Sequence, residues 1–425
     1  MLEIFKLESK IGSTTLSAKE LNLEIEDQKF DFKEYDIGEA PKEGVVSPGN
    51  METGDLEEIE KLYKKEPSRI NNFIECANVV PYSFLHQEAR KNYGDYTTAK
   101  GQDEFKDSDL VLTKDPFSPP EWAKELWDFA RMKTRKTFKT DSTMACLRAL
   151  KIKNGKPVFT IGAGPYSDSF YSNGSEGVKI GLDSKEKESL LQKVSAAELE
   201  KLEDMAVRLE GKYGSGRTIR DIIISRYGHI PEFGEHVYNN SVGVAGMVLT
   251  RNNEFVFVKR GSNVSINQGV NCTASGAAEF DEATLSQYGI QHFLGSEISR
   301  ETNEELGLKA GTLIIGSMKK RIRLELGIDD SEYDLIPVGF IRELPRGGKP
   351  ECMFLIQYKG ATEDLVKSVI ENPHAEKKEI EDSVFSLAQS ETDKLLSTKG
   401  ASSFIQHKGI VNLMLCNEYL RNTQK

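Results

Sequence analysis

Glu301, Glu304 and Glu305 are the residues whose types and spacing carry the sharpest chemical meaning in this chain. The run Arg300-Glu301-Thr302-Asn303-Glu304-Glu305-Leu306-Gly307-Leu308 predicts the last turns of a helix, stopped by Gly307 in a left-handed cap. At i, i+3 and i+4 the three carboxylates share one face of that helix. Like charges at this spacing cost roughly 0.2–0.5 kcal/mol per pair. A hard divalent cation bound through oxygen reverses the penalty, and Arg300 can fix one carboxylate by a bidentate pair. On an isolated surface helix the pattern is a solvated acidic face, so its surroundings decide. Gly276 and Glu282 stand upstream of it, a hairpin pattern precedes them, and a second pair of apolar strands follows.

Together these residues resemble the signature of the Nudix hydrolase family, G-x5-E-x7-R-E-U-x-E-E-x-G-U with U a bulky aliphatic residue. Gly276-x5-Glu282 matches its first part; Arg300-Glu301-x-x-Glu304-Glu305-x-Gly307-Leu308 matches its second. There are two departures. Seventeen residues separate Glu282 from Arg300, ten more than the signature has, and Thr302 stands where an aliphatic residue belongs. The insertion bears on whether Glu282 stays beside the other carboxylates. The resemblance covers roughly residues 236–390.

The resemblance implies an α+β chain whose C-terminal part is a Nudix-type α/β/α sandwich with a mixed sheet. It also implies a pyrophosphohydrolase acting on a nucleoside diphosphate linked to another moiety, of the ADP-ribose, dinucleotide or nucleotide-sugar type. Carboxylates suit Mg²⁺, with Mn²⁺ as the alternative, and such an ion neutralises diphosphate oxygens and activates water. Carried over residue by residue, Glu301, Glu304 and Glu305 are metal ligands, joined by the main chain at Gly276 and by Glu282 if the insertion loops outward; Arg300 orients them. Lys259, Arg260, Gly276, Arg346 and Lys349 are the substrate-binding candidates. The general base is one of the box glutamates or Glu351, Glu379 or Glu381. A competing reading is a Nudix-fold sensor or scaffold that binds a nucleotide without turnover. An isopentenyl diphosphate isomerase would need a cysteine directly before the glycine; Ser275 stands there, and Cys272, three residues earlier, reads as a small buried residue.

The elements that must position these groups follow from local patterning. Residues 1–140 read as an accessory region with an acidic, flexible segment near 20–60, where fourteen acidic residues face three lysines. PPEWAKELWDFARMKTRK predicts a helix with core residues Trp122, Leu126, Trp127, Phe129 and Ala130. Residues 141–235 read as an α+β intermediate subdomain. It holds a hairpin about Asn154-Gly155, a helix from Ser195 with Glu198 at the capping-box position, and another helix over RTIRDIIISRYG. Residues 236–425 form the third unit: two hairpins, SVGVAGMVLT with EFVFVKR and DLIPVGFIREL with CMFLIQYKG, then helical patterns over FSLAQSETDKLL and GIVNLMLCNEYLR.

Composition bounds the rest. The chain has 425 residues, a formal net charge of −11 and no apolar run of membrane-spanning length. The acidic excess sits in the 20–60 segment, and no basic stripe with interleaved aromatics supports a nucleic-acid platform. Five scattered cysteines without a C-x-x-C pair fit reduced thiols in a cytoplasm. Four N-x-S/T sequons (Asn173, Asn239, Asn263, Asn271) are read as chance. The expected partner is a nucleotide-derived small molecule, with no membrane; a homodimer is compatible with the sequence.

Overall fold

The structure, a computed structural model, describes residues 4–11, 14–25, 28–36, 79–81, 109–113, 117–135, 141–153, 156–228, 230–260, 269–278, 310–343, 346–372, 380–398, 405 and 407–423. Glu282, Arg300, Glu301, Glu304, Glu305 and Glu379 lie outside the described residues.

The described chain is α+β. Strands β1 (Ile4–Ile11), β2 (Thr14–Ile25) and β3 (Gln28–Asp36) open it, followed by β4 (Val79–Pro81) and β5 (Asp109–Thr113). Helix α1 (Glu121–Thr134) precedes the hairpin β6 (Thr143–Lys153) and β7 (Lys156–Pro165). Four helices come next: α2 (Tyr166–Tyr171), α3 (Ser184–Leu191), α4 (Ala196–Tyr213) and α5 (Ile219–Tyr227). Then come β8 (Gly243–Leu249), β9 (Glu254–Arg260), β10 (Gly269–Asn271), β11 (Ala274–Ala277) and helix α6 (Ala310–Leu326). The chain closes with β12 (Tyr333–Glu343), β13 (Lys349–Tyr358), α7 (Thr362–Glu371), β14 (Ile380–Ala388), α8 (Gln389–Ser397) and α9 (His407–Thr423).

Among the described residues the main sheet runs β1-β2-β3-β14-β9-β8-β13-β12-β4, with β10 on β9 and β11 on β8. It is mixed: β13 runs parallel to β8, from Glu351 opposite Gly243 to Gln357 opposite Leu249, while the neighbouring pairs are antiparallel. β8 and β13 are buried almost throughout, because apolar layers cover both faces. On one face Val244, Val248, Cys352, Phe354 and Ile356 pack under Ile314, Met318 and Ile322 of α6. On the other, Ala245, Met247, Met353 and Leu355 pack under Ile410, Val411 and Leu413 of α9. Alternate strand residues feed opposite layers, as the period of two requires.

Two of the apolar clusters draw on residues from both sides of the boundaries read at 140 and 235. Residues 20–25 and 28–36, placed by composition in a flexible acidic segment, belong to β2 and β3, and β3 pairs with β14 from Ser383 opposite Asp36 to Ser386 opposite Lys33. The physical reason is alternation. Phe30 and Phe32 alternate into the layer under α9, Tyr35, of the opposite parity, joins the layer on the other face, and all three are at most 1% exposed. β5 pairs in parallel with β7 in a three-stranded sheet with β6. Ala145, Leu147, Phe159 and Ile161 of that sheet share one apolar cluster with β8 and β13. Main-chain bonds join the two sheets: Ala145 N–H to Ala278 O and Val242 N–H to Ala145 O, both 2.8 Å.

The predicted hairpin at 154–155 is present, with Lys153 opposite Lys156. α1 buries Leu126, Trp127, Phe129 and Ala130 as expected. α4 opens on a reciprocal capping box between Ser195 and Glu198, a device whose cap is worth about 1 kcal/mol. One helix boundary differs. Phe385–Ala388, read as helical, continues β14, where Phe385 pairs with Phe257, and α8 starts only at Gln389. Sheet pairing overrides local propensity there. Asn173 and Asn239 are fully buried, so neither sequon is open to a glycan. The four cysteines described, Cys146, Cys272, Cys352 and Cys416, are buried thiols. Among the described residues no helix is long and apolar enough to cross a membrane.

Candidate functional site

The sequence Arg346-Gly347-Gly348-Lys349-Pro350-Glu351 turns from β12 into β13. The turn needs its two glycines: both have positive φ, 60° at Gly347 and 74° at Gly348, a region that suits a residue without Cβ. Either position would also collide with neighbours, Gly347 with Tyr238 and Gly348 with Ile230 and Arg342. Arg342 fastens the turn further, donating from Nε to Gly348 O (3.0 Å) and from Nη2 to Pro231 O (2.7 Å).

This turn delivers two of the sequence candidates to one carboxylate. Glu351, 1% exposed, accepts at Oε1 from Arg346 Nη2 (2.6 Å) and Lys349 Nζ (2.7 Å). Its Oε2 lies 2.9 Å from Lys408 Nζ, brought by the first turn of α9. Arg346 also donates through Nε to Glu343 Oε2 (2.8 Å) at the end of β12. All five side chains are at least nine-tenths buried. Opposite Glu351, Gly243 begins β8, and a side-chain carbon there would strike the Glu351 carboxylate. A glycine at that register position is what lets the carboxylate lie against the sheet.

Three cations face two carboxylates, so the buried cluster carries a positive excess. Burial works to raise the Glu351 carboxyl, but Lys349, Lys408 and Arg346 outweigh it and hold the group well below the usual carboxylate range. Lys349 goes the other way for a lysine: burial brings it down to about 8, against the pull of Glu351 and with the repulsion of Arg346 and Lys408. A carboxylate held so firmly ionised is a poor general base near neutrality. Its chemical part is to gather cations, and the excess positive charge suits an anionic oxygen ligand such as phosphate.

Gly276 lies on β11, opposite Val244 of β8, towards the face covered by α6. A Cβ there would run into the Arg321 guanidinium of α6. Arg321 Nη1 sits 3.9 Å from Glu325 Oε1, and Glu325 Oε2 accepts from Ser275 N (3.1 Å). The Arg321 guanidinium, beside the Glu325 carboxylate, is thus the described neighbour of Gly276. Among the described residues no group of three or more His, Cys, Asp or Glu side chains is gathered to hold a metal.

Lys259, opposite Val270, and Arg260, opposite Gly269, stand on β9, with β8 between them and β13. Arg346 and Lys349 do converge. Sequence reading missed Lys408, Glu343 and Gly243. Lys408 lies 57 residues after Glu351, too far for spacing to reveal, whereas the glycine pair between Arg346 and Lys349 was a visible cue for a tight, functional turn.

No protein family and no curated protein matches this chain. Among solved structures, the crystal structure of DR0079 from Deinococcus radiodurans at 1.9 Å aligns with 41% of this chain and 81% of its own at 9% identity, with a TM-score of 0.25. A likeness of that size carries no argument about fold or function.

Proposed function

We propose that this chain is a Nudix-type hydrolase that cleaves a phosphoanhydride bond in a nucleoside diphosphate linked to another moiety. The observation that carries the reading is the buried cation excess of Arg346, Lys349 and Lys408 about Glu351 and Glu343. It adds a phosphate-complementary charge to the R-E-x-x-E-E-x-G-L run at 300–308. The α+β architecture, with helices on both faces of a mixed sheet, is compatible with the sandwich the signature implies.

In this reading Arg346, Lys349 and Lys408 neutralise and orient the diphosphate oxygens, and Glu351 keeps the three cations together when substrate is absent. Glu301, Glu304 and Glu305 are assigned to a divalent cation, Mg²⁺ or Mn²⁺, because their oxygen donors match its preference, with the main chain at Gly276 and Glu282 as further candidates. Such an ion, when bound, supplies charge neutralisation and an activated water. With Glu351 set aside as a base, proton removal falls to one of the box glutamates.

The test is turnover of a panel of ADP-ribose, dinucleotide and nucleotide-sugar substrates with Mg²⁺ by the natural chain and by Glu305→Gln. The expected result is a loss of at least ~10²-fold in the variant, because a charge that holds the cation is gone. Equal rates would overturn the assignment of Glu305. A second reading is a binding module that senses nucleotide without turnover. Retained binding across the panel with no product from the natural chain is the result that would select it.

A further inference from the structure

Resting on the anion-site reading above, we infer that the segment Asn173–Glu176 is a positioning device for the Arg346–Lys349 turn, with Asn173 as the positioning residue. The intermediate region thereby becomes part of the anion site instead of an independent module.

The contacts run from side chains of one region to the main chain of the other. Asn173 Nδ2 donates to Arg346 O (3.0 Å), 173 residues away in sequence, and to Asn240 Oδ1 (3.2 Å). Its Oδ1 in turn accepts from Asn240 N (2.9 Å). Asn173 is fully buried, so the whole amide is committed to this junction. Three residues on, the Glu176 carboxylate lies against Gly347, where an added Cβ would meet its Oε1, and accepts from the Tyr238 hydroxyl and from Arg220 Nε (2.9 Å). Glu176 and Arg220 are 1% and 3% exposed. Arg346 is therefore gripped at its carbonyl and Gly347 is packed against a fixed carboxylate of the intermediate region, while Arg342 holds Gly348 from below.

A turn that must present two cations within a few tenths of an ångström needs this kind of support. A binding group is only as well placed as the shell that holds it, and preorganisation is affinity that need not be recovered on binding. An apolar junction would have served stability as well; buried polar contacts aimed at one main-chain segment specify its position. Asn173 touches no residue side chain of the cation cluster, so its effect passes through the turn.

The experiment measures binding of inorganic pyrophosphate to the full chain by calorimetry, without added metal, for the natural protein and three variants. Asn173→Ala removes the amide. Asn173→Leu, uncharged and of similar size, likewise loses the donor to Arg346 O and guards against a folding failure of the alanine variant. Asn372→Ala is the control, since Asn372 is another buried amide that donates to main-chain carbonyls, those of Arg323 (3.3 Å) and Leu324 (3.1 Å), away from the turn. The expected result is an affinity loss of roughly tenfold in both Asn173 variants. The control keeps its affinity despite a comparable fall in melting temperature. With a turned-over substrate, KM rises in the Asn173 variants while kcat changes little. Unchanged affinity in the Asn173 variants, or an equal loss in Asn372→Ala, overturns the inference and leaves the anion site standing. Failure of the natural chain to bind pyrophosphate overturns both.

Discussion

Lys349 and Glu351 stand two residues apart on the same face of β13, with Nζ and Oε1 separated by 2.7 Å and both side chains shut away from solvent. A buried pair of this kind adds little net stability by itself, because desolvation offsets attraction. Here it is embedded among two further cations and one further carboxylate, which makes each member costly to remove.

Glu351→Gln leaves Arg346, Lys349 and Lys408 buried with one carboxylate, Glu343, against three positive charges. Breaking a buried pair from one side costs about 3–5 kcal/mol. Chemical denaturation of the variant is expected to show a loss of that order. A midpoint within error of the natural protein would mean that water reaches the cluster and the burial is incomplete.

Titration sets a pH window for anion binding. Lys349 is brought down to about 8 by burial, so its charge is present below that pH and lost above it. Pyrophosphate affinity is expected to fall as pH rises through about 8, two pH units or more before an ordinary lysine would titrate. For stability the sign is opposite. Between about 8 and the ordinary lysine value the unfolded chain binds a proton that the folded chain does not, so this group's contribution grows with pH. Glu351, held below the usual carboxylate range, contributes stability above its unfolded pKa that is lost as pH falls through its depressed folded value. Calorimetric binding from pH 6 to 10 checks the first claim; a flat profile across 8 would place Lys349 outside the ligand's reach.

Two glycines offer a matched comparison. Gly243→Ala puts a methyl group against the Glu351 carboxylate, and overpacking of this sort costs about 1–3 kcal/mol. Gly211→Ala lies in α4 with nothing within 4 Å of the new carbon, and helix propensity predicts a gain of about 0.5–1 kcal/mol. Melting temperatures should therefore move in opposite directions.

The N-terminal strands are structural parts of the C-terminal sheet. Phe32 is fully buried, with its ring edge-on to Phe257 at a centroid distance of 6.4 Å. Phe32→Ala is expected to destabilise the sheet by about 3–5 kcal/mol, with the effect read in fragments spanning β14 and β9 by hydrogen exchange. Protection unchanged in those strands would argue that β3 docks only loosely.

Local order was legible where a single segment contained all its causes. The capping box at Ser195 and Glu198, the hairpin at 153–156 and the apolar face of α1 each depend on residues within a few turns of one another. Phe385–Ala388 shows the limit, since its strand conformation depends on partners in β9 and β3 far along the chain. For the candidate site, Arg346 and Lys349 stand three residues apart in sequence, and the turn at Gly347 and Gly348 brings both to Glu351.

By itself the amino-acid order determined the α+β class, the individual hairpins and helices, and the pair of cations in the glycine turn, since periodicity and capping act over short range. Only the tertiary structure decided that residues 20–25 and 28–36 join the C-terminal sheet, that Lys408 closes the charge cluster, that Arg321 lies over Gly276, and that Asn173 donates to the Arg346 carbonyl. Those outcomes depend on pairing and burial between segments tens to hundreds of residues apart, and electrostatic meaning follows burial: Lys349 is an ordinary surface cation in the sequence and a group titrating near 8 only once the fold has removed its water.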